Sequence, residues 1–182
     1  MSDPTEPFSD SLREYYFSAE PGVAALDTIE LRHSAFLAED GVTPVAVRFV
    51  NDPVDLVAAL EADAPMNGGE EVTFVAGGFS ATIPEQSSPG LSTFQLEVMN
   101  VSREMMPWMD LAAASNEPIQ LSYRQYRSDE LTLPGLVMHG LTIHSASAGI
   151  LRVTAQAGYE DFLNRPHPSR IYTLQEFPGL AN

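Results

Sequence analysis

The sequence predicts a mainly β fold, a β-sandwich or rolled β-barrel with one flanking α-helix. Three observations predict it. Short segments throughout the chain alternate apolar and polar residues with the period of two that a half-buried strand requires. Turn-forming residues, among them Asp40-Gly41, Asn67-Gly68-Gly69, Gly77-Gly78 and Ala148-Gly149, fall between these segments. One long stretch, Arg103 to Ala114, instead carries helical spacing through Met105, Trp108, Met109 and Ala112. Many short strands around a single main helix is the pattern of a sandwich or barrel.

The elements follow in order. Residues 1–7 read as a leader, and 8–182 as one β-rich domain ending in an extended segment, 165–182. Ser9 can cap a short helix to Phe17 with Leu12, Tyr15 and Tyr16 as its apolar stripe, and Pro21-Gly22 stops it. Leu26 to Phe36 reads as a strand with Ile29 and Leu31 on opposite faces. Across Glu39-Asp40-Gly41 it forms a hairpin with the strand of Val45, Val47 and Phe49. Asp55 to Ala62 fits either period and is read as a strand because its neighbours are strands. Val72 to Ala76 and Phe79 to Ile83 read as a hairpin across Gly77-Gly78, followed by a long loop, Glu85 to Gly90.

The centre of the chain is a strand, a helix and a second strand. Phe94, Leu96 and Val98 alternate with polar residues, Ser102 offers an N-cap, and Pro107 either starts the helix or kinks it. Ser115-Asn116-Glu117-Pro118 ends the helix, and Ile119, Leu121 and Tyr123 mark the return strand. After a loop at 128–135, Val137 to Ser145 and Ile150 to Ala157 read as a hairpin around Ala148-Gly149. Tyr159 to Asn164 reads as a helical turn, and Ile171 to Leu174 as a last strand. Arg165-Pro166-His167-Pro168 cannot be regular structure, because two prolines remove two backbone donors.

Composition excludes several function classes. Mean hydropathy is -0.08 and no apolar run approaches the roughly 20 residues of a bilayer span, so no membrane segment is expected. The first residues are acidic and proline-rich, unlike a secretory signal. The absence of cysteine removes disulfides, zinc-thiolate sites and iron–sulfur clusters. A net charge of -16 opposes tight binding to a nucleic-acid backbone. The charge is uneven: residues 1–100 hold 17 acids against 3 arginines, and residues 101–182 hold 8 acids against 6. All nine basic residues are arginine, which suits planar pairing at interfaces but equally fits a GC-rich genome.

Catalytic signatures are sparse. His139 and His144 stand an odd number apart on one strand, and His33 and His167 lack acidic or histidine neighbours, so no metal site is expected. There is no Gly-x-Ser-x-Gly elbow, and no phosphate-binding glycine loop. The acid pairs Glu39-Asp40, Glu70-Glu71, Asp129-Glu130 and Glu160-Asp161 lie in polar surroundings with nothing to raise either pKa. No catalytic residue and no cofactor are expected. Tyr123, Tyr126 and Tyr159 with Arg124 and Arg127 form either a sugar-stacking or protein-contact surface, or simply core and half-exposed strand residues.

The run Asn116-Glu117-Pro118-Ile119 into Ser122-Tyr123-Arg124-Gln125-Tyr126 resembles a family of tail proteins from long-tailed bacteriophages, a family described only as a domain of unknown function. So do Leu31-x-His33-x-Ala35-Phe36, Ala155-Gln156-Ala157-x-Tyr159, Tyr172-Thr173 and Phe177-Pro178-Gly179-Leu180. The resemblance implies a minor tail protein of the tail tip, similar to distal-tail and baseplate proteins, with a fold related to the tail tube. It implies a virion location, a homo-oligomeric ring (a hexamer in preference to a trimer), and tail tube, tape measure and hub as partners. DNA would pass the lumen without specific binding, repelled by acids from residues 1–100. Arg124, Tyr126, Arg127, Phe177 and Leu180 are the interface residues expected on this reading, with the arginines pairing acids of the next chain. The alternative is a carbohydrate-binding β-sandwich that recognises host glycans. A hydrolase ranks last.

Overall fold

The computed structural model describes residues 12, 14, 16, 17, 22–83, 93–99, 106–115, 117–149 and 152–159. Their strands are β1 (Ala25–Leu37), β2 (Pro44–Val50), β3 (Leu56–Ala59), β4 (Glu71–Ala76), β5 (Phe79–Thr82), β6 (Phe94–Met99), β7 (Gln120–Arg127), β8 (Leu136–Ala148) and β9 (Arg152–Tyr159). A helix, α1 (Met106–Ala113), joins β6 to β7. The mainly β class with a flanking helix is as the sequence predicts, and Asp55 to Ala62 does contain a strand. No described helix is long and apolar enough to cross a membrane. The leader, Ser102, the Glu85–Gly90 loop, the turn beyond Tyr159, Ile171–Leu174 and the segment 165–182 lie outside the described residues.

One sheet holds all nine strands in the order β3-β4-β2-β1-β7-β8-β9-β6-β5. Only β2 and β4 pair in parallel. The chain itself forces this sheet to roll. In a flat sheet β4 and β5 would lie seven spacings apart, roughly 34 Å at about 4.8 Å each. Gly77-Gly78 alone connects them, which permits at most roughly 11 Å. The two ends therefore meet at the glycines, where Gly77 N–H donates to Val50 O (3.0 Å) and Met99 N–H donates to Gly78 O (2.8 Å). A Cβ at Gly77 would stand 3.1 Å from Phe49 Cδ1, so the small residue lets the crossing pass close over β2. The roll is not a closed barrel. β2 and β4 pair only at Phe49↔Val75 and Val50↔Ala76 and then part.

The expected hairpin across Gly77-Gly78 is thus a correction. β4 pairs with β3 and β2, whereas β5 pairs with β6. Burial decides the matter, since Phe74 and Phe79 belong to different apolar clusters. Local alternation reports that a strand is half-buried but not which strand it pairs with. The hairpins β1–β2 and β8–β9 form as expected. Ile29 and Leu31 lie two residues apart and therefore share a face, not opposite ones, and both enter the main core.

That core fills the inside of the roll with Phe36, Phe49, Phe79, Phe94, Leu121, Tyr123 and Leu141. The helix α1 seals one flank. Ala112 is buried, Met109 packs against the cluster, and Trp108 meets Phe36 edge-on with ring centroids 5.3 Å apart. Pro107 sits in the first described turn of the helix. Leu12, one of four described helical residues near the N-terminus, is also buried there. On the outer face, residues 51–76 fold back as an arm over β2, β1 and β7. Leu56, Leu60 and Phe74 of the arm pack on Val50 and Tyr126 in a second, smaller cluster.

Candidate functional site

Beside that second cluster lies a layer of charge between sheet and arm. Thr28, Glu30 and Arg32 alternate with core residues of β1, and Ser122, Arg124 and Tyr126 with those of β7. Alternation carries all six to the outer face. The arm then covers them. Arg124 has no exposed surface, and its fork grips Glu61 of the arm: Nε donates to both carboxylate oxygens (3.0 and 2.9 Å), and Nη2 to Oε1 (2.7 Å). Glu30, equally buried, accepts from Arg48 Nε (2.9 Å) and stands 3.2 Å from Arg32 Nε and 3.5 Å from Arg124 Nη1. Arg48 in turn donates to Asn67 Oδ1 of the arm (2.9 Å), and Tyr126 Oη donates to Ala59 O (3.0 Å).

Burial alone would push the Glu61 carboxyl up. The hydrogen bonds from Arg124 and the close approach of His139 outweigh it and hold the group at about 2, so it is ionised at neutral pH. Burial also opposes the Arg124 charge, yet Glu61 and Glu30 raise its pKa above the ordinary value. Two carboxylates and three arginines thus form one buried network that pins the arm.

The same carboxylate belongs to a serine–histidine–glutamate series. Ser122 Oγ lies 3.2 Å from His139 Nδ1, and His139 Nε2 lies 2.9 Å from Glu61 Oε1. A nucleophile, a base and an orienting acid follow in the order that acyl transfer uses. Geometry and access separate this series from a working site: His139 Nε2 is close to Glu61 but makes no hydrogen bond to it among the described residues. Ser122 is fully buried under the arm, and its Oγ also takes a hydrogen bond from Arg32 Nη2 (3.3 Å). Glu61 is bound to Arg124, which draws its charge away from the imidazole. In this arrangement the series is part of the lock.

His33 carries no site. Ala35 N–H donates to His33 Nδ1 (3.0 Å), which leaves Nε2 as the donor to Glu117 O (3.1 Å). His33 is thereby a satisfied structural residue. Among the described residues, no group of three or more His, Asp or Glu is placed to hold a metal ion.

The interface residues expected from the sequence are dispersed. Arg124 and Tyr126 are interior, with no surface for a neighbouring chain. Arg127 stays near the surface and binds Asp129 in the following turn through Nε and Nη2 (3.0 and 2.8 Å). Tyr159 is half exposed. Phe177 and Leu180 lie outside the described residues. The residue that sequence reasoning missed is Glu61. Its only signal was an acid between Leu60 and Ala62 in an otherwise apolar run.

The outer face left bare by the arm is polar. Over β5, β6, β9 and β8 it presents Ser80, Thr82, Gln95, Ser147, Thr154 and Gln156 along a groove of about 290 Å³, with no aromatic ring in its lining. Glu97 and Arg152 form its charged pair at 2.9 Å. The outer edge of β5 has no strand partner among the described residues.

A family model described as a domain of unknown function (DUF1833) matches residues 11–172. Among curated proteins, none matches the chain.

Proposed function

This chain belongs to the DUF1833 family, and we propose that it is a structural component of a phage tail tip. In this role it forms or joins a ring between tail tube and receptor-binding hub, works without catalysis, and leaves a lumen for DNA. The observation that carries the reading is how the roll divides its polar groups. Arg124, Glu30 and Glu61 are spent on holding the arm. Among the described residues, the edge of β5 and the polar face behind it have no strand or arm over them and suit contacts with neighbouring chains. The tail motifs quoted above support the same reading. An acidic subunit suits a lumen, because DNA passes a negative wall without sticking.

The test is to delete the gene from the phage or prophage that carries it and to image the particles by electron microscopy. Tails that lack a finished tip, restored by the gene in trans, are the expected result. Normal infectious particles would overturn the reading.

The groove on β5, β6, β9 and β8 favours a second reading, glycan recognition through hydroxyl and amide hydrogen bonds. Its lining offers no ring for a sugar to stack on, which places this reading behind the first. A glycan array would find specific, groove-dependent binding if the second reading held.

A further inference from the structure

Where β2 and β4 part, the sheet has an internal cleft. Register places Thr28 opposite Val50 and Ile29 opposite Phe49, and Asn51 N–H donates to Asp27 O (2.9 Å). That bond sets the phase of the ladder: Val45, Val47 and Phe49 turn their backbone groups towards β1, and Ala46, Arg48 and Val50 turn theirs outward. Gly77 uses the outward carbonyl of Val50. At Ala46 the outward N–H and C=O meet no strand among the described residues, because pairing with β4 stops at Phe49.

The cleft beside this open backbone is apolar. It encloses about 560 Å³ and is lined by Leu37, Val45, Val47, Phe49, Val75 and Trp108. Val75 is 36% exposed, a large apolar side chain left facing water. One carboxylate, the exposed Glu39, lines it. Arg48 also lines the cleft, but its guanidinium is already bound to Glu30 and Asn67. Among the described residues, the cleft thus combines strand groups of Ala46 that no strand uses, an apolar floor and a carboxylate, Glu39, in its lining.

We infer that this cleft accepts an extended segment of a partner chain, with apolar side chains at alternate positions and a lysine or arginine at one end. Such a segment would add as a strand along Ala46 and set every second side chain against Val45, Val47 and Val75. Its basic end would meet Glu39. Strand addition draws affinity from backbone bonds and specificity from the pockets for alternate side chains. The charge at the mouth selects against a second copy of this chain, whose net charge is -16. The inference does not depend on the tail-tip reading.

The test is to pan a random peptide library on the immobilised full chain and to measure the enriched peptides in solution. Trp108 is the only tryptophan and lines the cleft, so its emission reports occupancy directly. Enriched sequences should alternate apolar residues and carry a basic end. Val75→Arg and Ala46→Pro should each weaken binding at least about tenfold. Thr154→Arg, on the remote polar face, should leave it unchanged. Should Ala46→Pro fail to fold, Val75→Arg still decides, because Val75 lies at the surface. No enrichment, or enriched peptides that bind both cleft variants as tightly as the native chain, would overturn the inference.

Discussion

Replacing Glu61 by Leu should destabilise the protein by about 3–5 kcal/mol, the cost of leaving a buried charge without its partner. Three short hydrogen bonds from Arg124 end on Glu61, and Arg124 has no exposed surface through which water could replace them. Glu30, 3.5 Å from Arg124 Nη1, still offers partial compensation, which favours the lower end of that range. The same contacts hold the carboxyl at about 2 in place of its ordinary 4.5, which points in the same direction. The double variant Glu61→Leu with Arg124→Met should cost less than the sum of the single variants, because it removes both charges together. Urea unfolding followed by Trp108 emission and far-UV circular dichroism supplies all four corners of the cycle. A Glu61→Leu loss below about 1 kcal/mol, or strictly additive single effects, would refute the claim that this pair pins the arm.

Acid should act through the same residue. The folded pKa of Glu61 lies below its unfolded value, so its contribution is complete above about pH 4.5 and disappears as the pH falls towards 2. Unfolding curves across that window should show the loss in the native chain and a reduced one in Glu61→Gln. Gly68→Ala should cost about 1–3 kcal/mol, since the new Cβ would stand 2.6 Å from the carbonyl oxygen of Ala62. Native Trp108 emission should be blue-shifted and should move red in Phe36→Ala, which removes its edge-on neighbour and about 3–5 kcal/mol of core packing. A fluorophosphonate probe should leave Ser122 unlabelled in the folded chain, and labelling detected by peptide mass spectrometry would show that the arm opens.

The strands were legible because each obeys a local rule. Alternation marks β6 and β7, and Asp40-Gly41 marks the turn where Asp40 accepts the N–H groups of Val42 and Thr43. The roll was not legible. Gly77-Gly78 has the composition of a hairpin turn, and only the separate burial of Phe74 and Phe79 sends the chain across to the far end of the sheet. The arginines show the same limit. In sequence Arg124 and Arg127 look equivalent on one polar strand. They stand an odd number apart and so face opposite ways, and residues 51–76 cover only the face that holds Arg124. Glu61 lies 63 residues from its partner, a pairing with no local signature.

The proposed place of this chain in a phage tail tip is tested most directly by cryo-electron microscopy of particles from a phage that carries its gene. Density for the rolled sheet should appear in a ring at the tail tip, between tube and hub, with the Glu61–Arg124 arm closed in every copy. Purified, tail-complete particles with no copy of the chain by mass spectrometry, and no such density, would contradict it.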